Sequence, residues 1–245
     1  MKTINAIFDL DDTLVECGKH YRDLRTEFGI IAAKRIGMSS QLCTNTLIAI
    51  DNQCSELPDA WGRNRFPRSF YAASLVLDVL AGKPLDLLAA QDAENLGRSV
   101  FAKDYALLGD IHTSLAWFAS RFNMFLYTKG DPEHQMRKVE KTSLLSFFPL
   151  DHIHIVPHKN TDQLWEIVHT HKLKTNMTLM VGDSFNDDMV PANTIGMQTA
   201  WIIDNSDHSY HGDFGNVTYS LHSIHDLISA LEEDSKHGLN NILSP

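Results

Sequence analysis

Residues 4–14 of the chain read INAIFDLDDTL, in which a short apolar run is followed at once by three acidic side chains. Residues 4–8 have the length and composition of a buried strand, and Asp9, Asp11 and Asp12 come directly after it. Like charges held a few ångströms apart repel each other, and an acid at the edge of a core loses hydration. A cation near the end of this strand would compensate both effects, so the stretch raises the hypothesis of a cation site.

The composition fits a soluble globular protein. The chain has 245 residues, of which 43% are hydrophobic and 21% are charged, which suits one large domain or one domain with a smaller insert. The net charge of −10 argues against nucleic acid or an anionic membrane as the main partner. A small anionic substrate stays compatible with this charge, because a metal ion can reverse its sign at one site.

Cysteine usage and the apolar runs predict a cytoplasmic protein. The three cysteines, Cys17, Cys43 and Cys54, form no CxxC pair, and an odd number is a poor disulfide framework. Asp9 interrupts the first apolar run, which is too short for a signal peptide. No run approaches the roughly 18 apolar residues of a membrane span. We therefore expect no membrane partner.

Strand-like and helical patterns alternate over most of the chain. The apolar runs at residues 4–8, 124–127, 153–156, 178–181 and 199–203 predict buried strands. Helical patterns lie between them at residues 110–122, 132–145, 161–171 and 185–195. This alternation predicts an α/β fold, with a Rossmann-like parallel sheet as its core and helices on both faces.

Residues 16–107 break this rhythm and predict an all-helical insert. Four helical stretches are expected there, at residues 20–36, 39–55, 68–81 and 84–106. A segment of this length must be a structured unit rather than a loop. The predicted domains are therefore an α/β core of residues 1–15 and 108–231, a helical cap of residues 16–107, and a polar tail of residues 232–245.

Polar motifs follow four of the predicted strands, and they occur where each strand ends. They are Asp9-Leu10-Asp11-Asp12-Thr13, Thr128-Lys129-Gly130-Asp131, Pro157-His158-Lys159 and Gly182-Asp183-Ser184-Phe185-Asn186-Asp187-Asp188. The carboxyl ends of parallel strands share one edge of a sheet, where ligands bind in a crevice. Carboxylates, a hydroxyl and a lysine are thus expected to converge from distant parts of the chain.

These motifs resemble those of the haloacid dehalogenase (HAD) superfamily of Mg²⁺-dependent phosphohydrolases. DLDDT matches the motif DxDxT, Thr128 in LYTKG matches the second motif, Lys159 fits the third, and GDSFNDD matches the acidic fourth motif. The resemblance covers about residues 1–15 and 108–205, and the insert is similar in placement to the type 1 cap of that family.

The resemblance implies hydrolysis of a small phosphate monoester through an aspartyl phosphate. Asp9 would be the nucleophile, and Asp11 would protonate the leaving oxygen and later activate water. Asp12, between two working acids, is expected to point away and to turn or cap the chain.

A Mg²⁺ site is implied at the same edge. Its expected ligands are Asp9, the backbone carbonyl of Asp11, Asp183 and Asp188, since hard cations take oxygen ligands. The family uses two spacings in its fourth motif, so Asp187 is an alternative to Asp188.

Three residues are expected to hold the phosphoryl group: Thr128, the backbone around Lys129, and Lys159. Lys159 would also neutralise charge on the nucleophile. Lys138 and Lys141, on the helix after the second motif, are alternatives to Lys159 for this role.

Arginines in the predicted cap suggest a contact to the substrate. Arg63, Arg65 and Arg68 occur in the stretch AWGRNRFPRSF, residues 60–70, of an otherwise acidic protein. They form either a solvated face or a set from which Arg63 and Arg65 reach a substrate anion as the cap closes.

The expected function is therefore a Mg²⁺-dependent phosphatase that acts on a small phosphorylated metabolite. A phosphomutase or phosphotransferase of the same superfamily would share every core residue. A haloacid dehalogenase would need neither the acid at position 11 nor a metal ion. A binding protein on a retired hydrolase fold would lack at least one motif, and none is missing. The sequence specifies neither the substrate nor the oligomeric state.

Overall fold

The apolar runs pair into a parallel sheet. A computed structural model describes residues 4–55, 63–203 and 217–237. Its strands are β1 Asn5–Phe8, β2 Asn123–Lys129, β3 Ile153–Val156, β4 Thr178–Gly182, β5 Gln198–Ile202 and β6 Tyr219–Leu221. Their spatial order is β3-β2-β1-β4-β5-β6, and every neighbouring pair is parallel. The predicted α/β fold is confirmed.

Helices fill both faces of this sheet, because each strand alternates its side chains between two cores. On one face, Phe8 and Leu126 belong to a buried cluster that includes Phe118 and Leu227. On the other face, Ile7 belongs to a second buried cluster with helix residues that follow β3 and β4.

The helices of this α/β unit differ from the expected ones at three places. They are α5 Ile111–Arg121, α6 Pro132–Lys141, α7 Thr161–His171, α8 Val190–Thr194 and α9 Ile224–His237. Helix α6 ends before residue 145, since Ser143 takes a left-handed backbone conformation with φ 59°. The expected helix at 185–195 is a π-helical turn, Phe185–Met189, followed by α8. Helix α9 was not expected; it includes the start of the predicted tail, and residues 238–245 lie outside the described part.

The segment between β1 and α5 forms a separate compact unit, Cys17–Asp104. Its helices are α1 Gly18–Ile36, α2 Ser40–Ser55, α3 Arg65–Leu80 and α4 Leu87–Arg98. They share their own buried core, which includes Phe28, Leu47, Phe70 and Leu77. Across the described ranges of the chain, no helix combines the length and apolarity needed to cross a membrane.

Asp51 anchors two arginines inside this helical unit. The residue is 2% exposed, and its Oδ2 accepts a hydrogen bond of 2.7 Å from Arg25. Arg65 pairs with Oδ1 of Asp51 and donates to its backbone carbonyl at 3.3 Å. Arg65, expected from the sequence to be a substrate contact, therefore has a structural partner within the helical unit. Arg63 is half-buried, and residues 56–62 lie outside the described part.

The chain leaves the α/β unit and returns to it at adjacent points. Glu16 donates a backbone hydrogen bond of 2.9 Å to Ala106, and Leu108 donates one of 3.0 Å to Leu14. The residues that precede and follow the helical unit thus run side by side.

Candidate active site

The register of the sheet brings the strand-end motifs together. Phe8 at the end of β1 is paired with Leu126 of β2 and with Val181 of β4. The next residue, Asp9, continues the ladder, because its N–H donates to the carbonyl of Val181 at 2.9 Å. Asp9 therefore emerges at the carboxyl edge of the sheet, between the ends of β2 and β4.

Three carboxylates meet at this edge. Asp9, Asp183 and Asp188 each offer an oxygen, and these oxygens lie within 4.8 Å of one another. Asp9 and Asp188 are buried, whereas Asp183 is half-buried. Thr13 donates a hydrogen bond of 3.3 Å to Oδ1 of Asp183, so the first motif also contacts the fourth.

Lys159 lies among these acids. Its side chain is 2% exposed, and its ammonium pairs with Asp9 and donates to Oδ1 of Asp188 at 2.6 Å. Its position is fixed by the start of α7, since the side chain of Asn160 caps that helix by accepting from the N–H of Gln163 at 2.9 Å. The ring of Tyr127 lies 5.3 Å from the ammonium.

The electrostatics show that this site is crowded with negative charge. Burial, together with the carboxylates of Asp9 and Asp188, raises the pKa of Asp183 well above its usual value. Burial also raises the pKa of Asp188 to about 7, although Lys159 opposes the shift. Burial alone would lower the pKa of Lys159, but Asp188 and Asp9 outweigh it and raise this pKa.

The π-helical turn after β4 decides which acid of the fourth motif enters the cluster. Oδ2 of Asp188 accepts from the N–H of Ser184 at 3.1 Å and packs against Gly182. A Cβ at position 182 would lie 2.2 Å from that oxygen, so only glycine fits there. Asp187 points elsewhere and pairs with Lys129. The cluster thus contains Asp188 and not Asp187.

Asp11 lies in a second group of contacts, centred on α6. The ammonium of Lys138 donates to both of its carboxylate oxygens, at 2.7 and 2.9 Å. The amide of Gln135 donates to Oδ2 at 3.0 Å. Burial alone would raise the pKa of Asp11, but Lys138, Gln135 and His134 together outweigh it, and the pKa is lowered.

Gln135 also connects Asp11 to the second motif. Its amide donates to Oγ1 of Thr128 at 2.7 Å and to the carbonyl of Lys129 at 3.1 Å. Thr128 is buried and belongs to β2, which extends two residues further than the sequence predicted. Thr128 is thus held at the same edge as Asp9 and Asp11.

Sequence reasoning missed Gln135 and considered Lys138 only as an alternative to Lys159. A usable signal was present, because Asp131 and Pro132 mark the start of α6, and Asp131 caps the helix by accepting from His134 at 2.9 Å. A helix that begins at a strand end points its first turn toward that edge. Gln135 and Lys138, three residues apart on one face, were therefore readable as neighbours of the site.

The chemistry of the donor set fits a hard divalent cation. Asp9, Asp183 and Asp188 supply carboxylate oxygens, which are the ligands that Mg²⁺ takes in proteins. Burial and neighbouring carboxylates raise the pKa values of Asp183 and Asp188, and such an ion would compensate both effects. These three residues could hold a divalent metal.

Comparisons with known proteins agree with this architecture. A family model described as HAD-hydrolase-like matches residues 159–214. No curated protein matches the chain. A haloacid dehalogenase-like family hydrolase from Xanthomonas campestris has a TM-score of 0.75 and 20% identity, over 97% of this chain and 94% of that one.

Two further solved structures share the fold. A HAD phosphatase from Thermococcus onnurineus has a TM-score of 0.60 and 16% identity, over 94% of this chain and 98% of that one. A 2-haloacid dehalogenase from Pseudomonas syringae has a TM-score of 0.58 and 18% identity, over 94% of this chain and 99% of that one. The chain therefore has the fold that these HAD-family structures share, and the family model adds a likeness to HAD-like hydrolases over residues 159–214.

Proposed function

We propose that this protein is a Mg²⁺-dependent phosphatase that hydrolyses a small phosphate monoester. The observation that carries the proposal is the buried Asp9, whose carboxylate lies together with those of Asp183 and Asp188 in a cluster that could hold a cation. A second acid, Asp11, stands two residues further on and is held by a separate lysine. A nucleophile, a metal site and a separate proton carrier are what phosphoryl transfer through an enzyme carboxylate requires.

In the first step, a carboxylate oxygen of Asp9 attacks phosphorus, and the bond from phosphorus to the leaving oxygen breaks. Asp11, protonated for this step although Lys138 favours its carboxylate form in the free protein, gives its proton to that oxygen, so the product leaves as an alcohol. In the second step, Asp11 takes a proton from water, which attacks the phosphorus of the aspartyl phosphate. The bond from phosphorus to the Asp9 oxygen breaks, inorganic phosphate departs, Asp9 is again a carboxylate, and Asp11 again carries its proton.

The remaining residues stabilise charge. Lys159, beside Asp9, would neutralise the transferring group, and the hydroxyl of Thr128 would donate to a phosphoryl oxygen. The N–H groups around Lys129 would add further donors. Mg²⁺, when bound by Asp9, the carbonyl of Asp11, Asp183 and Asp188, supplies positive charge that lets an anionic substrate approach an anionic nucleophile.

The dehalogenases that share the fold define the main alternative reaction. A haloacid dehalogenase also uses a carboxylate nucleophile, but it has no need of an acid at position 11 or of a metal ion. Asp11 and the cluster of Asp9, Asp183 and Asp188 favour the phosphatase. A phosphomutase would share all of these residues, so only turnover with sugar phosphates distinguishes it.

A substrate screen tests the proposal. The purified protein with Mg²⁺ is incubated with sugar phosphates, nucleotides and phosphorylated short alcohols, and released phosphate is measured. We expect release from at least one substrate and a fall of about 10²-fold or more after chelation, since a metal ion contributes several kcal/mol to transition-state stabilisation. Added Mg²⁺ should restore the rate. Halide release from 2-haloacids, insensitive to chelation, would instead identify a dehalogenase.

Arg63 stays a predicted substrate contact. The variant Arg63→Ala should raise KM for a good substrate by about tenfold, since a hydrogen bond to a charged group contributes about 1.5–3 kcal/mol. Arg68→Ala is the matched control, because Arg68 is exposed on α3. Arg65→Ala is less suitable, because it would also break the pair with the buried Asp51. An unchanged KM for Arg63→Ala across the substrate panel would reject the contact.

A further inference from the structure

Lys138 is a buried lysine for which the proposed reaction has no assigned role. Its side chain is 1% exposed, and its ammonium donates to both carboxylate oxygens of Asp11. Lysine is almost never fully buried unless it is paired, because removing an ammonium from water is costly. The placement of this side chain therefore needs an explanation in terms of Asp11.

The contacts fix the orientation of the Asp11 carboxylate. Lys138 bonds to both oxygens, and Gln135 adds a third hydrogen bond to Oδ2. The Asp11 side chain is 31% exposed, so without these bonds it would be able to change rotamer. Gln135 and Lys138, about one turn apart on α6, thus hold an acid that lies 124 and 127 residues earlier in the sequence.

Lys138 is itself held in place. The ring of Tyr105 lies 4.7 Å from its ammonium, at a distance where a cation and an aromatic face attract each other. The hydroxyl of Tyr105 bonds to Nε2 of His134, one turn earlier on the same helix. The ammonium is therefore supported by the segment that follows the helical unit and by α6.

Lys138 is also distinct from Lys159. Lys159 pairs with Asp9 and Asp188 of the three-carboxylate cluster, whereas Lys138 pairs with Asp11. The sequence offered these lysines as alternatives for one role. In the structure Lys138 and Lys159 pair with different carboxylates, which indicates that the two lysines have separate roles.

We propose that Lys138 is a positioning residue that holds Asp11 in the orientation for proton transfer to the leaving oxygen and from water. This inference rests on the proposed phosphatase activity. Lys138 does not touch the reacting atoms, and it acts through Asp11. Its loss should therefore lower the rate of chemistry without weakening substrate binding.

The first test compares Lys138→Met with the wild-type protein and with Lys141→Met. Methionine keeps an unbranched apolar chain and removes the ammonium, and Lys141 is an exposed lysine on the same helix. We expect kcat for a phosphate monoester to fall by about 10- to 10²-fold, the cost of a misplaced catalytic group. KM should change by less than about twofold, and Lys141→Met should match wild type. Partial recovery in Lys138→Arg would fit a positioning role.

A double-mutant cycle separates this role from a merely structural one. With p-nitrophenyl phosphate, whose leaving group needs no proton, residual turnover is compared in Asp11→Asn and in the double variant. If Lys138 acts through Asp11, Lys138→Met should change the Asp11→Asn rate by less than about twofold. Losses that multiply would overturn the proposal, and so would wild-type kcat in Lys138→Met.

Two controls keep the outcome interpretable. If circular dichroism shows that Lys138→Met is unfolded, Lys138→Gln replaces it in the same cycle and is judged by the same criterion. A wild-type protein that releases no phosphate from any substrate rejects the proposed function itself, and the positioning role with it. If the wild-type protein hydrolyses a phosphate monoester and Lys138→Met keeps the same kcat, only the positioning role is rejected.

Discussion

The Asp9→Asn variant is expected to lose phosphatase turnover by about 10³-fold or more, since an amide cannot form the covalent phosphoryl intermediate. The substitution is nearly isosteric, and its amide keeps one oxygen near Lys159. The fold should therefore survive, which thermal unfolding followed by circular dichroism would verify. The loss should appear in kcat for every substrate, because the nucleophile is common to all of them.

Asp12→Asn is the matched control for this experiment. Asp12 lies three residues beyond Asp9 and has a left-handed backbone with φ 55°, which asparagine also tolerates. The variant makes the same chemical change, and we expect turnover within a few-fold of the wild type. Full turnover in Asp9→Asn would show that the assigned chemistry is wrong, whichever metal is present.

The Lys159→Met variant is expected to lose about 3 kcal/mol of unfolding free energy when Mg²⁺ is absent. Its ammonium is the buried partner of Asp9 and Asp188, and Asp183 adds a third negative group beside them. Removing one member of a buried charged group leaves the others uncompensated. Urea unfolding at neutral pH, followed by circular dichroism, measures the loss.

Mg²⁺ should restore part of this stability, because the ion would compensate the same carboxylates and binds only the folded state. Lys129→Met is the matched control. Lys129 and its partner Asp187 are 30% and 29% exposed, so removing this pair should cost less than about 1 kcal/mol. Equal losses in the two variants, or a Lys159→Met loss that Mg²⁺ does not reduce, would contradict the proposed cluster.

The sheet was readable from the sequence because its central strands are apolar runs with helices between them. Residues 153–156 were predicted with the bounds that the structure has. Strand β6 was not, because it has three residues, one of which is exposed, and so lacks a distinctive apolar run. Its position depends on pairing with β5, a contact that local sequence does not encode.

Part of the site could be predicted from the sequence, because the strands that position it are apolar runs. Asp9, Thr128 and Asp183 stand at strand ends, and a parallel sheet brings such ends to one edge. The choice between Asp187 and Asp188 depends on the π-helical turn, in which Asp188 packs against Gly182. Both acids suit an ordinary helix equally well, so spacing alone could not decide between them.

Side-chain partners were the least readable feature. Lys138 and Lys159 are both lysines shortly after a strand, and only the packed structure assigns each to its own acid. Arg65 looked like a cation for a ligand, yet it pairs with Asp51, fourteen residues earlier in the chain. Charge patterns show how many cations a segment has, whereas their partners depend on tertiary packing.

The adjacent backbone bonds at Glu16–Ala106 and Leu14–Leu108 have a consequence for how this protein can diversify. Since the chain exits and re-enters at neighbouring points, the intervening residues can be exchanged as a cassette without altering the strand order of the sheet. A chimaera that carries a foreign helical insert between residues 16 and 106 is accordingly expected to keep the parallel sheet.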